Sequence, residues 1–126
     1  MQENVTMQHV ALQYAEKEKA DIFFKEILGL KLIKDFKLQE NLSKKIFDVS
    51  EEADVFVYGN EDAVFEIFIT PHTTDYVFNH VCIKVPNKED FVKKCEKNNL
   101  KPFFVYKDNR KLLFTKDYFN NLYEVK

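Results

Sequence analysis

Two histidines and two glutamates occupy matching places in the two halves of the sequence. His9 leads the stretch MQHVALQY and His80 leads FNHVCIKV, and apolar residues follow each of them at alternating positions. Glu66 and Glu124 each lie in the most apolar late segment of their half, DAVFEIFIT and LYEVK. Two imidazoles and two carboxylates form an N2O2 ligand set that suits zinc, nickel, cobalt or iron(II).

Strand geometry predicts that these four side chains share one kind of surface. Side chains alternate between the two faces of a strand, so the larger apolar residues point to one face and His9, Glu66, His80 and Glu124 to the other. A carboxylate on a buried sheet surface needs a partner, a metal or a raised pKa. Taken singly, a strand histidine or glutamate is usually an ordinary structural residue. Their repetition in both halves favours one shared site.

The elements that must position these residues follow the same order twice. Each half reads as strand, helix and three further strands, with ADIFFKEILGL as the first helix and residues 89–98 as the second. Residues 39–52 have no counterpart in the second half and read either as a short amphipathic helix or as a loop. We therefore predict an α+β single domain over 1–126, with modules at about 7–70 and 77–126.

Composition narrows the function classes. The chain has 126 residues, 45% of them hydrophobic and 15% aromatic, which is enough for one compact core. Its net charge of -2 gives no electrostatic attraction toward the negatively charged backbone of nucleic acids. No apolar run is long enough to cross a membrane, and the N-terminus lacks a signal pattern, so we expect a cytoplasmic protein. Cys82 and Cys95 form no metal or redox motif and are expected to be free, buried thiols.

The order and spacing of several motifs resemble the vicinal oxygen chelate superfamily, the glyoxalase, bleomycin-resistance and dioxygenase group. The motifs are HVALQY, FFKEILGL, VFEIF, HVCIKV and FTKDYFNNLYEV. The resemblance implies two βαβββ modules that curl around a U-shaped cavity holding a divalent metal. It places the metal ligands of the family on His9, Glu66, His80 and Glu124, a set most similar to the glyoxalase I type.

The resemblance also implies a reaction. A glyoxalase I-type lyase or isomerase chelates two neighbouring oxygens of a small substrate and moves a proton through an enediolate. Glu124 is the favoured catalytic base, with Glu66 as a second candidate. The alternatives are an isomerase similar to methylmalonyl-CoA epimerase and a non-catalytic small-molecule binding protein of the bleomycin-resistance type. The complete ligand set favours an enzyme over the binding protein.

Some features leave the substrate and the assembly open. Glyoxalase I enzymes generally bind glutathione carboxylates with arginines, but this chain has only Arg110, predicted in a turn. Lys84 and Lys107 lack the planar guanidinium with which arginine binds a carboxylate through two hydrogen bonds, so glutathione is not predicted.

Two further residues and the assembly also have more than one interpretation. His72 reads as an exposed linker residue or as part of a cavity lip. Cys82 reads as a small wall residue of the cavity, the alternatives being a soft ligand and a reactive thiol. A homodimer is expected, with the cavity within one chain or across two.

Overall fold

The computed structural model describes residues 7–71 and 79–126, apart from the side chain of residue 107. The first half forms a four-stranded sheet in the order β1-β4-β3-β2, with β1 parallel to β4 and the other neighbours antiparallel. The strands are β1 (Val10–Tyr14), β2 (Lys31–Leu38), β3 (Ala53–Gly59) and β4 (Val64–Ile69). Helix α1 (Lys17–Ala20) continues directly as a π-helix (Asp21–Ile27), and α2 (Glu40–Phe47) follows β2.

The second half repeats this arrangement with one helix. Its strands pair in the order β5-β8-β7-β6, and β5 is again parallel to its neighbour β8. The elements are β5 (Val81–Ile83), α3 (Lys88–Lys97), β6 (Phe103–Lys107), β7 (Arg110–Lys116) and β8 (Leu122–Val125). The predicted α+β class and the two modules of the same strand order are therefore confirmed.

The connections between strands differ between the two sheets. Of the two interpretations of residues 39–52, the structure has the helix. It ends at Phe47, and Asp48 follows in a left-handed conformation. The corresponding connection in the second half is a hairpin turn at Asp108 and Asn109. Both turn residues have positive φ, which matches the twist of paired strands. Arg110 lies in β7 and not in the turn as predicted, because the left-handed pair ends the turn one residue earlier.

The helices of both modules contribute to one apolar core. Phe23 and Phe24 of the π-helix are fully buried, as are Tyr14 of β1 and Tyr123 of β8. The first predicted helix, ADIFFKEILGL, is thus confirmed, and its residues Ala20, Phe23, Phe24 and Ile27 are buried. None of the helices in the described ranges is long and apolar enough to cross a bilayer.

The two cysteines are free, as predicted, but their environments differ. Cys95 is buried in the core, and burial raises the pKa of its thiol to about 12. Cys82 is exposed, so the expectation that both thiols are buried is wrong for this residue. The reason is strand alternation, which turns Val81 and Ile83 toward the core and Cys82 toward the open face.

Candidate functional site

The first His–Glu pair lies across the parallel strands β1 and β4. Glu66 pairs in register with Ala11, and His9 immediately precedes β1. The neighbours of Glu66 in β4, Phe65 and Ile67, are buried on the opposite face. This alternation leaves the Glu66 carboxylate beside the imidazole, with 3.5 Å between His9 Nε2 and Glu66 Oε1.

The second pair repeats this geometry across β5 and β8. Glu124 pairs in register with Cys82, and His80 precedes β5. The distance between His80 Nε2 and Glu124 Oε1 is 3.7 Å. Strand order and alternation therefore place the two pairs equivalently in the two sheets, as the sequence pattern predicts.

The donor atoms of each pair fit the edge of a metal coordination shell. Two donor atoms bound to the same zinc ion lie about 3.0–3.4 Å apart. The Nε2–Oε1 distance in each His–Glu pair is slightly longer. Both glutamate side chains are about one-fifth exposed, so water partly solvates them. Each carboxylate thus has a histidine partner and partial contact with water, and the case for a metal rests on the donor types and their spacing.

The structure brings these residues together as two pairs. Within residues 7–71 and 79–126, no group of three or more His, Cys, Asp or Glu residues is close enough to hold a metal ion. His9, His80 and Cys82 nevertheless line the same open cavity, which has a volume of about 590 Å³. A single chain thus presents two half-sites, each with one imidazole and one carboxylate.

Lys126 distinguishes the second half-site from the first. Its Nζ atom lies 3.4 Å from Glu124 Oε2, while the other oxygen of Glu124 faces His80. Backbone hydrogen bonds of 2.8 Å with Ile83 and Val85 fix the position of Lys126 beside the strand that follows His80. Lys126 was not among the residues predicted from the sequence, although its position two residues after Glu124 places it on the same face of the strand.

A buried turn supports the strand that carries Glu124. Asp117 is 5% exposed and accepts hydrogen bonds from the backbone of Phe119 and Asn121 and from the Tyr123 hydroxyl. Burial raises the pKa of Asp117, and these hydrogen bonds partly oppose that effect. The Asn121 amide also donates to the Gln13 carbonyl of β1 at 3.3 Å, which links the two modules. The turn residues DYFNN were visible in the sequence, but the burial of Asp117 and Asn121 was not.

A second cavity opens on the first sheet, next to the first half-site. Its volume is about 310 Å³, and its walls come from one face of the sheet, from α2 and from the segment after α2. Phe47 of α2 and Phe68 of β4 meet there edge to face, with ring centroids 5.5 Å apart. The unmatched segment 39–52 was the available signal for this cavity, but its role in building a wall was not predicted.

The remaining sequence candidates are peripheral or outside the described residues. Arg110 is exposed at the start of β7, and Lys84 is exposed just after β5. His72 falls outside the described residues, and so does the side chain of Lys107.

The fold matches solved structures, whereas no protein-family model and no curated protein matches the sequence. The glyoxalase family protein from Enterococcus faecalis is 18% identical, with a TM-score of 0.72 and 95% of each chain covered. The glyoxalase family protein from Bacillus cereus is 16% identical, with a TM-score of 0.73, and the match covers 98% of this chain and 94% of that one.

A fosfomycin resistance protein has the same architecture. A mutant of FosX from Listeria monocytogenes, in complex with Mn(II) and 1S,2S-dihydroxypropylphosphonic acid, has a TM-score of 0.74. It is 11% identical, and the match covers 98% of this chain and 92% of that one. At these identities the likeness concerns the fold, and it agrees with the motifs of the sequence. The chain has the fold of the vicinal oxygen chelate superfamily.

Proposed function

We propose that this protein is a metal-dependent lyase or isomerase of the glyoxalase I type, acting on a small substrate with two neighbouring oxygens. The observation that carries the proposal is the repeated His–Glu pair, His9 with Glu66 and His80 with Glu124, on equivalent strands of two modules. An accidental pair would have little reason to recur at the same register in the second sheet.

The proposed ligands of the metal are His9, Glu66, His80 and Glu124. Zinc, nickel, cobalt and iron suit this donor set, and the Mn(II) complex of FosX adds manganese to the ions to be tested. When bound, such an ion accepts two substrate oxygens and stabilises the negative charge that develops on them. Proton transfer at the neighbouring carbon then requires a carboxylate of the chain. We assign it to Glu124, with Glu66 as the second candidate.

We further propose that the active form is a homodimer in which each site combines half-sites from two chains. Each pair supplies only two ligands, and its histidine is more than 40% exposed, so a second copy has access to it. The chain also has exposed apolar side chains that a partner copy would cover. They lie on α2 (Leu42, Ile46, Phe47) and on β6 (Phe103, Phe104, Val105, Tyr106).

Metal content and activity test the proposed reaction. We expect near-stoichiometric divalent metal in the wild type by mass spectrometry, and loss of most of it in His9→Ala and His80→Ala. Cys82→Ser is the matched control, because Cys82 lines the cavity of both histidines but is not a proposed ligand. Activity would be assayed with methylglyoxal hemithioacetals and with acyl-CoA epimers, comparing Glu66→Gln and Glu124→Gln. Absence of metal after reconstitution with each ion would contradict the proposal.

Mixing two inactive variants tests the shared site. If sites span two chains, a 1:1 mixture of His9→Ala and His80→Ala recovers about a quarter of the wild-type metal content. The reason is that half of the dimers are mixed and each mixed dimer has one intact site. Sites built within single chains would recover nothing, and that result would contradict the shared arrangement while leaving the reaction class in place.

The second candidate function is small-molecule binding without catalysis. The 310 Å³ cavity favours it, because an apolar pocket of this size holds an apolar ligand without a metal. In that case ligand binding would persist in Glu124→Gln and in metal-free protein, and no turnover would be detected with either substrate class.

A further inference from the structure

We propose that the 310 Å³ cavity between the first sheet and α2 binds an apolar substituent of the substrate that carries no negative charge. The inference rests on the proposed function, because it assigns the substrate class of the same site. It concerns the part of the substrate that extends away from the reacting oxygens. The insertion between β2 and β3, absent from the second module, would then be the element that selects the substrate.

The size and walls of the cavity fit a small apolar group. Leu38, Phe47, Val49 and Phe68 supply large apolar walls, and Ser43 of α2, which is 4% exposed, closes one side. The volume lies at the lower end of the range of about 300–1,000 Å³ for small-molecule sites. It accommodates an aromatic ring or a short alkyl chain, but not an extended peptide such as glutathione.

The position of the cavity connects it to the first half-site. Ala11 lines the cavity and pairs in register with Glu66. Phe68, another lining residue, is two residues beyond Glu66 in β4, so it lies on the same face about 7 Å further along the strand. A substituent in the cavity would thus leave its parent molecule within reach of the Glu66 carboxylate.

The charges around the cavity oppose an anion. Glu51 and Glu52 both line it, and no lysine or arginine of the described residues does. Glu52 pairs with Lys37 at 3.5 Å, and both of these side chains are about half exposed. An anionic group would lose its water to apolar walls, and no lysine or arginine among the described lining residues would compensate that loss.

Two probes that differ in charge test this assignment in metal-free protein. We would titrate benzyl alcohol and benzoate into protein containing a chelator and follow backbone amide NMR shifts. Benzyl alcohol should cause saturable shifts at Ala11, Val49 and Phe68, and benzoate should bind at least about tenfold more weakly. Equal affinity for both probes, or saturable shifts only outside the cavity, would overturn the proposal.

Two variants separate cavity binding from a general loss of folding. Ala53→Phe fills the cavity and should abolish the benzyl alcohol shifts, whereas Lys101→Phe, at an exposed residue outside it, should not. The double variant Glu51→Gln, Glu52→Gln should increase benzoate affinity by about threefold or more, since two repulsive charges are removed. Unchanged benzoate affinity would contradict the electrostatic basis. Because no metal is present, these results are independent of the metal analysis that tests the proposed function.

Discussion

The two modules hold the same His–Glu pair on the same two strands but surround it differently. In the first module, Glu66 faces His9 and lies beside a cavity that α2 closes. In the second, Glu124 is between His80 and Lys126, and a two-residue turn takes the place of α2. The parallel strand pairs therefore fix the donor atoms, while the connections and neighbouring charges determine what each half-site can contact.

The turns that precede the two glutamate strands differ as well. Before β4, the side chain of Asn60 is exposed and accepts hydrogen bonds from the backbone of Asp62 and Ala63. Before β8, the buried side chain of Asp117 accepts hydrogen bonds from the backbone of Phe119 and Asn121, and also one from the Tyr123 hydroxyl. The second turn is consequently part of the core and the first is part of the surface.

The largest expected effect comes from breaking the buried turn. Asp117→Ala should lower the free energy of unfolding by about 3–5 kcal/mol, because it leaves several buried donors without an acceptor. Asn60→Ala, the matched change in the first module, should cost about 1 kcal/mol, since its backbone partners can bond to water instead. Urea denaturation measures both. Equal losses would show that burial does not distinguish the two turns.

Sequence patterns predicted the strand order and the faces on which side chains lie better than the contacts between distant segments. Strand alternation placed His9, Glu66, His80 and Glu124 on the open faces because that rule depends only on the neighbouring residues. The burial of Asp117 and the wall formed by α2 depend on contacts between distant segments, which a local pattern does not contain. The same rule places Cys82 on the face of His80, and its exposure agrees with that placement and not with the expectation of a buried thiol.

A buried tyrosine in each module donates a hydrogen bond to an aspartate, and these two bonds also differ. Tyr58 donates to Asp21 at 2.7 Å, and Tyr123 donates to Asp117 at 2.8 Å. Partial burial opposes the ionisation of Asp21, but hydrogen bonds from Lys17 and Tyr58 outweigh it, so the pKa of Asp21 is lowered. Burial raises the pKa of Asp117. The two carboxyl groups thus respond to the fold in opposite directions.

The Asp21 bond should show a characteristic dependence on pH. A lowered pKa in the folded state means that ionised Asp21 stabilises the protein at neutral pH, and that this contribution disappears as the pH falls below about 4. We expect Asp21→Asn to cost about 1 kcal/mol at pH 7 and to approach wild-type stability near pH 3. Unfolding curves of the two proteins between pH 3 and 7 would measure this. A difference that grows on acidification would contradict the assignment.

The smallest expected effect concerns Lys126, and it tests the difference between the half-sites directly. An exposed ion pair contributes about 0.2–1 kcal/mol, which an incoming cation at Glu124 would have to offset. Lys126→Met should therefore tighten metal binding by roughly one-and-a-half- to fivefold in competition with a chromophoric chelator. Lys84→Met is the control, because it removes an exposed lysine that has no ion pair among the residues described. Weaker binding in Lys126→Met but not in Lys84→Met would mean that Lys126 orients Glu124 for the metal instead of competing with it. In either case, a change confined to Lys126 would show that the two glutamates are not interchangeable.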